Sequence, residues 1–203
     1  MKKIPEDIED LMFKYGSQVN KLQAEELYNA VLSTPDGPVI EIGSATGGTT
    51  IMLIRAAKKV GKMVYSVDPY PVEMEGVARD YAEGEMVATR QMFAENILEK
   101  ESNIIQLNYD LIDCIDLIPY GISVAFIDGL HELANVKREY NLLIPRMCKG
   151  GIMYFHDMGF DAGQLSPEGA LTEFPAWVQR GEIVEKSIGS DLERLRQMLK
   201  IVV

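Results

Sequence analysis

With 203 residues and 47% hydrophobic content, the chain can bury one sizeable core, and a single domain over 1–203 is expected. Its 31 acidic against 20 basic residues give a net charge of −11 with no dense Lys/Arg run, which argues against nucleic acid as substrate and against an anionic membrane as partner. The N-terminus lacks an apolar h-region, no stretch reaches transmembrane length, and Cys114 and Cys148 form no C-x-x-C pair, so a cytoplasmic protein with buried thiols is expected.

Ile8, Leu11, Met12 and Tyr15 recur at helical spacing behind Pro5 and predict a first amphipathic helix ending near Gly16. A second apolar face, Leu22, Leu27, Ala30 and Val31, runs to Ser33 before Pro35-Asp36-Gly37-Pro38 stops it. Residues 1–34 therefore read as a helical cover over the sheet or a cofactor, without a chemically distinctive side chain. An association into homo-oligomers through these helices stays open.

The stretch Pro38 to Thr50, PVIEIGSATGGTT, organises the chain. Val39, Ile40 and Ile42 predict a buried parallel strand. Gly43, Gly47 and Gly48 let backbone approach a ligand, and Ser44, Thr49 and Thr50 lead into a helix whose free N–H groups face the turn. Glu41 lies inside the apolar run and needs a hydrogen-bond donor. The spacing E-x-G-x-x-x-G-G differs from the dinucleotide G-x-G-x-x-G, and its longer loop suits a cofactor without phosphates.

A helix over 50–60 and a strand over 63–67 follow, and the strand ends at Asp68, placed to reach ribose hydroxyls. Residues 70–86 are polar and acidic, a candidate substrate loop. A helix is predicted over 87–98 and a third strand over 103–107. Asp110 then either meets an adenine edge or caps the next helix. A fourth strand, 122–127, runs into Asp128-Gly129-Leu130-His131. After a helix over 134–147 and a turn at Cys148-Lys149-Gly150-Gly151, a fifth strand, 152–155, ends at His156-Asp157. Such alternation argues a doubly wound α/β sheet with ligands at the carboxyl edge, where Asp68, Asp110, Asp128, His131, His156 and Asp157 would share one crevice. Asp128, His156 and Asp157 have the donor types for a divalent metal, provided the strand has ended where the last two converge. In the tail, 158–203, a strand is read over 182–188; Leu192, Leu195 and Leu199 have helical spacing while 198–203 has the β-branched ending of a strand, and the boundary between the two stays open.

EIGSATGG, VDPYP, FIDGLHELANVKREYNLLIPRMCKGG and YFHD, in this order, resemble the class I S-adenosylmethionine-dependent methyltransferases. More narrowly they resemble the subgroup of macrocin and mycinamicin O-methyltransferases and cephalosporin hydroxylase, over roughly residues 38–157. The resemblance implies a mostly parallel seven-stranded Rossmann-like sheet with helices on both faces. It implies a cofactor held by Glu41, Gly43, Ser44, Gly47, Gly48, Thr49, Asp68 and Asp110, and a metal at Asp128, His156 and Asp157. Those relatives carry an acid where this chain has His156, so Fe2+ or Zn2+ joins Mg2+ and Mn2+ as the implied ion. His131 and Asp128 would remove a proton from the hydroxyl of a small molecule, of sugar or phenol type, and residues 158–203 would wall in that substrate. An iron oxygenase and a non-catalytic cofactor-binding subunit remain as alternatives; a nicotinamide-dependent dehydrogenase is disfavoured by the glycine spacing.

Overall fold

All four residues of β1 (Val39–Ile42) are buried, Glu41 among them, which requires protein on both faces and on both edges of the strand. The computed structural model, which describes residues 2–70, 90–130, 133–156, 181–183 and 198–203, supplies both. On one side β1 pairs in parallel with β2 (Val64–Val67), and β2 with β3 (Ile104–Leu107). On the other it pairs with β4 (Ile122–Ile127), and β4 with β5 (Met147–Phe155). Two antiparallel strands, β6 (Gly181–Ile183) and β7 (Leu199–Val202), complete the order β3-β2-β1-β4-β5-β7-β6. This is the seven-stranded, mostly parallel sheet that the sequence implies.

Alternation along the strands divides the core between two faces. Val39, Val64, Val124, Phe126 and Tyr154 pack with the N-terminal helices α1 (Glu6–Lys14) and α2 (Lys21–Ser33) and with α3 (Gly48–Lys59). Ile40, Ile42, Ala125, Ile127, Met153 and Phe155 pack beneath α5 (Leu111–Cys114) and α6 (Leu133–Leu143). The register aligns Ile42 with Val67 and Ile127, and Ile127 with Phe155. Residues 43, 68, 128 and 156, each following one of these strands, are therefore brought to one edge. The strand order reverses between β1 and β4, which opens the crevice there.

Three boundaries differ from the sequence reading. The expected turn Cys148 to Gly151 lies within β5, because Ile122 pairs with Met147 and an irregularity between Ile122 and Val124 absorbs the extra residues. The expected helix over 87–98 is described as α4 (Arg90–Phe93) continuing into a π-helical turn, Ala94–Leu98, that packs on the glycine loop. The strand read at 182–188 is described only as β6. The segments 71–89 and 157–180 fall outside the described residues, and with them most of the candidate substrate loop and substrate wall. Among the described residues no helix is long and apolar enough to cross a membrane.

The cover formed by α2 is fixed at its C-terminus by Lys62, itself only 6% exposed. The Lys62 ammonium donates to the carbonyls of Val31 and Thr34 at 3.0 and 3.1 Å and to the Thr34 hydroxyl at 2.9 Å. These are carbonyls that a helix end leaves without intrahelical donors. Lys62→Met keeps the stem and removes all three bonds, and it is expected to cost about 1–3 kcal/mol in urea denaturation. An unchanged midpoint would show that solvent caps the helix equally well.

Candidate functional site

The glycine loop is held in shape from four directions. Gly43, Ala45 and Gly47 all take positive φ, at 83°, 45° and 94°. The Asp68 carboxylate, at the tip of β2, accepts from the backbone N–H groups of Ser44 and Ala45, both at 2.9 Å, and from that of Tyr70 at 2.9 Å. Charge-assisted bonds of this kind stabilise the left-handed turn at Ala45. The Tyr70 hydroxyl closes the ring by donating to the Ala45 carbonyl at 2.9 Å. Tyr70 is 4% exposed and itself sits at φ 44°.

From the π-helical turn, Asn96 donates to the Thr46 carbonyl at 2.8 Å, and Ile97 packs where a Gly47 side chain would be. From the N-terminal cover, the Tyr15 carbonyl accepts from the Thr46 hydroxyl, and the Ser17 and Thr49 hydroxyls lie 3.0 Å apart. A Cβ on Gly48 would lie 2.2 Å from the Ser17 nitrogen, so glycine here is what lets the cover close on α3. Residues 15–17 belong to the loop's scaffold as much as 43–50 do.

Below the loop lies Glu41, fully buried. The donor that the sequence required is Thr50, whose hydroxyl binds Glu41 Oε2, while Oε1 has no hydrogen-bond partner among the described residues. Burial pushes the carboxyl up to about 8 against the pull of the Thr50 and Ser44 hydroxyls, and the charges of Asp128 and Asp68 add to the rise. Ser44 also pairs through its hydroxyl with Ser66 at 2.6 Å. Asp110 stands exposed at the N-cap position of α5 and makes no side-chain cap bond.

Asp128 follows β4 and is clamped to β1, its N–H donating to the Ile42 carbonyl at 2.8 Å. Its carbonyl approaches Gly43 so closely that a Cβ there would lie 2.2 Å away. The His156 ring, 3% exposed, places Nδ1 2.9 Å from Asp128 Oδ1 and Nε2 3.2 Å from Gln23 Oε1 on α2. An imidazole binds a metal through a nitrogen lone pair, and both ring nitrogens are turned to protein atoms. His156 therefore bridges Asp128 and Gln23, and the expected role of metal ligand would need one of these two contacts to open. His131 and Asp157 lie outside the described residues. Among the described residues no group of three or more His, Cys, Asp or Glu side chains could hold an ion.

The structure thus joins Glu41, Gly43, Ser44, Gly47, Gly48, Thr49, Asp68 and Asp128 at one crevice. The sequence reading missed Gln23, Ser17, Tyr70 and Asn96. Only Gln23 carried a signal, as the third helical residue after Asn20 in an N-x-x-Q capping box, and that signal speaks of a helix start.

A glycine loop after the first strand, an acid at the tip of the second and another at the tip of the fourth thus share one edge of a mostly parallel α/β sheet. The chain belongs to the methyltransferase-domain family, whose pattern matches residues 40–158. An uncharacterised protein of Acanthamoeba polyphaga mimivirus is 26% identical over 149 residues, and this chain spans 61% of that relative's length while the match covers 70% of its own. Among solved structures, an O-methyltransferase from Bacillus cereus in complex with SAH superposes with a TM-score of 0.65 at 15% identity, covering 98% of this chain and 92% of that one. The O-methyltransferase TomG from Streptomyces achromogenes, in complex with SAM, gives 0.61 at 13% identity, covering 99% and 91%. At such identities the likeness speaks for the fold.

Proposed function

We propose that this protein is an S-adenosylmethionine-dependent methyltransferase acting on a hydroxyl oxygen of a small molecule, of sugar or phenol type. One observation carries the reading: the glycine loop and Asp128 are in backbone contact at Gly43, so a ligand in the loop and a substrate at Asp128 meet in one crevice. The residues fit the cofactor. Glu41 Oε1 is a buried acceptor without a donor among the described residues, and the loop's positive-φ positions let backbone approach a ligand. The likeness to O-methyltransferases solved with SAH and SAM, and the resemblance of the motif series to the macrocin-type subgroup, favour oxygen as the acceptor atom.

When bound, the cofactor supplies a methyl group already activated on a sulfonium. What remains for the protein is to align the nucleophile, keep water out and take a proton. In this reading Asp128, held from behind by His156, accepts that proton. A divalent ion at Asp128 would need ligands beyond the described residues, and the proton transfer to Asp128 does not require it.

Calorimetric titration of S-adenosylhomocysteine into chelator-treated protein, with and without added Mg2+, tests the reading, and micromolar binding in both is expected. No binding in either would overturn it. In an assay of radiolabelled methyl transfer to a panel of phenols and sugars, Asp128→Asn is expected to lower turnover by about 10²–10⁴-fold with homocysteine-product affinity near wild type. Unchanged turnover would remove Asp128 from the proton step.

A further inference from the structure

Gln23 is a fully buried polar side chain on a helix outside the family-matched segment. Its amide orientation is settled by local chemistry. Gln23 Oε1 lies 3.2 Å from the backbone N–H of Asn20, which can only donate, so the atom facing it is the oxygen. The Gln23 N–H in turn donates to Asn20 Oδ1 at 3.0 Å, and the two bonds form a capping box that fixes the first turn of α2. His156 Nε2 reaches the same Gln23 oxygen, and therefore donates to it. This settles which face of the imidazole meets Asp128. Nδ1 faces the carboxylate at 2.9 Å, where two lone pairs would repel, so a second hydrogen lies between Nδ1 and Asp128 Oδ1; the ring is tilted at 60° to that of Phe126, with centroids 5.9 Å apart.

The support behind Gln23 is rigid. One turn further along α2, Glu26 Oε1 accepts from the Tyr154 hydroxyl at 2.9 Å and from the Lys200 ammonium at 2.7 Å, which ties the helix to β5 and β7. The chain Asn20, Gln23, His156, Asp128 thus runs from a braced helix start to the crevice. We propose that Gln23 is a positioning residue for methyl transfer: by fixing the His156 ring it sets the orientation of the Asp128 carboxylate. The proposal rests on the reading of Asp128 as the group that takes the hydroxyl proton. It gives the N-terminal cover a part in the chemistry as well as in packing, since a base displaced by a fraction of an ångström loses alignment with its proton.

Histidine-selective 15N NMR tests it, because the chain has only two histidines and a His131→Asn variant assigns the signals. Asp128→Asn marks how the His156 Nδ1 resonance responds when the carboxylate is lost. Gln23→Met is expected to move both ring resonances, Nδ1 in the direction seen for Asp128→Asn, and to speed exchange of the Nε2 proton on the order of tenfold. Gln23→Glu keeps an oxygen for both donors and is expected to restore them. Should Gln23→Met fail to fold, Gln23→Asn, with a side chain too short to reach the ring, gives the same readout. An Nδ1 resonance unmoved by Gln23→Met, or no rescue by Gln23→Glu, would overturn the proposal. S-adenosylhomocysteine calorimetry on the wild type judges the methyl-transfer reading separately: its failure leaves the ring signals intact, whereas failure of the Gln23 proposal leaves binding intact.

Discussion

Glu41→Gln is expected to give a protein more stable than wild type above about pH 8 and equal to it near pH 5. The wild-type carboxyl is buried without a charged donor, and burial raises it from 4.5 to about 8. A folded-state value above the unfolded one means that the folded protein holds a proton which the unfolded chain releases. The stability from that proton is complete below about pH 4.5 and is lost as pH rises through about 8. Over the whole window the loss is on the order of 5 kcal/mol for this one group. Glutamine mimics the protonated acid in shape and hydrogen-bonding capacity, so the variant's melting temperature should stay flat where the wild type's falls. Parallel pH profiles for the two proteins would mean that Glu41 is ionised throughout and has a donor.

The same proton bears on the proposed cofactor. A cationic ligand brought against Oε1 favours the carboxylate, so binding would expel the proton at neutral pH. Calorimetry in two buffers of different ionisation enthalpy would read that release in wild type, and Glu41→Gln would abolish it. Such release would identify Glu41 as the group that meets the ligand's positive charge.

What could be read in advance follows from the range of the interactions. Val39, Ile40 and Ile42, the glycines after them, and the acids at positions 68 and 128 announce strand ends by local pattern, and the parallel register brings them together. Glu41's need for a donor was legible for the same reason, since Thr50 lies nine residues on, in the first turn of the helix above. The role of His156 was not. Read locally, an HD pair at a strand end looks like metal ligands; the protein groups that His156 meets lie 28 and 133 residues away. Helix phase misled in α2, where Leu22 was read as inward and is 51% exposed, while Gln23 is the residue that faces the sheet. The Asn20 cap and the polar chain behind it set that phase, and a hydrophobic pattern does not register either. At the Gly150-Gly151 pair a turn was expected because glycine permits one; the chain instead makes an irregularity within β5, where residues 148–151 are skipped by the β4 register and Gly150 sits at φ 80°.

Gly43→Ala is expected to be severely destabilising for the addition of a single methyl group. An alanine Cβ at φ 83° would lie 2.2 Å from the Asp128 carbonyl oxygen, 2.6 Å from its carbon and 2.8 Å from Gly129 Cα. All three are backbone atoms, so no flexible side-chain end can yield. The strands on either side are also fixed, by Gly43 N–H to the Val67 carbonyl at 2.9 Å and Asp128 N–H to the Ile42 carbonyl at 2.8 Å. Relief requires the end of β4 to move away from β1, which breaks a ladder bond in a close-packed core. The cost should be about 3 kcal/mol or more in urea denaturation. Gly61 provides the control: its φ is 70°, and a Cβ there meets nothing within 4 Å. Gly61→Ala therefore carries only the left-handed penalty, about 1 kcal/mol. If the two variants lose equal stability, the contact between the loop and Asp128 is looser than described. If Gly43→Ala alone is crippled and also loses S-adenosylhomocysteine binding, then one atom's width between two strand tips is what holds the cofactor loop and the proton acceptor in a single site.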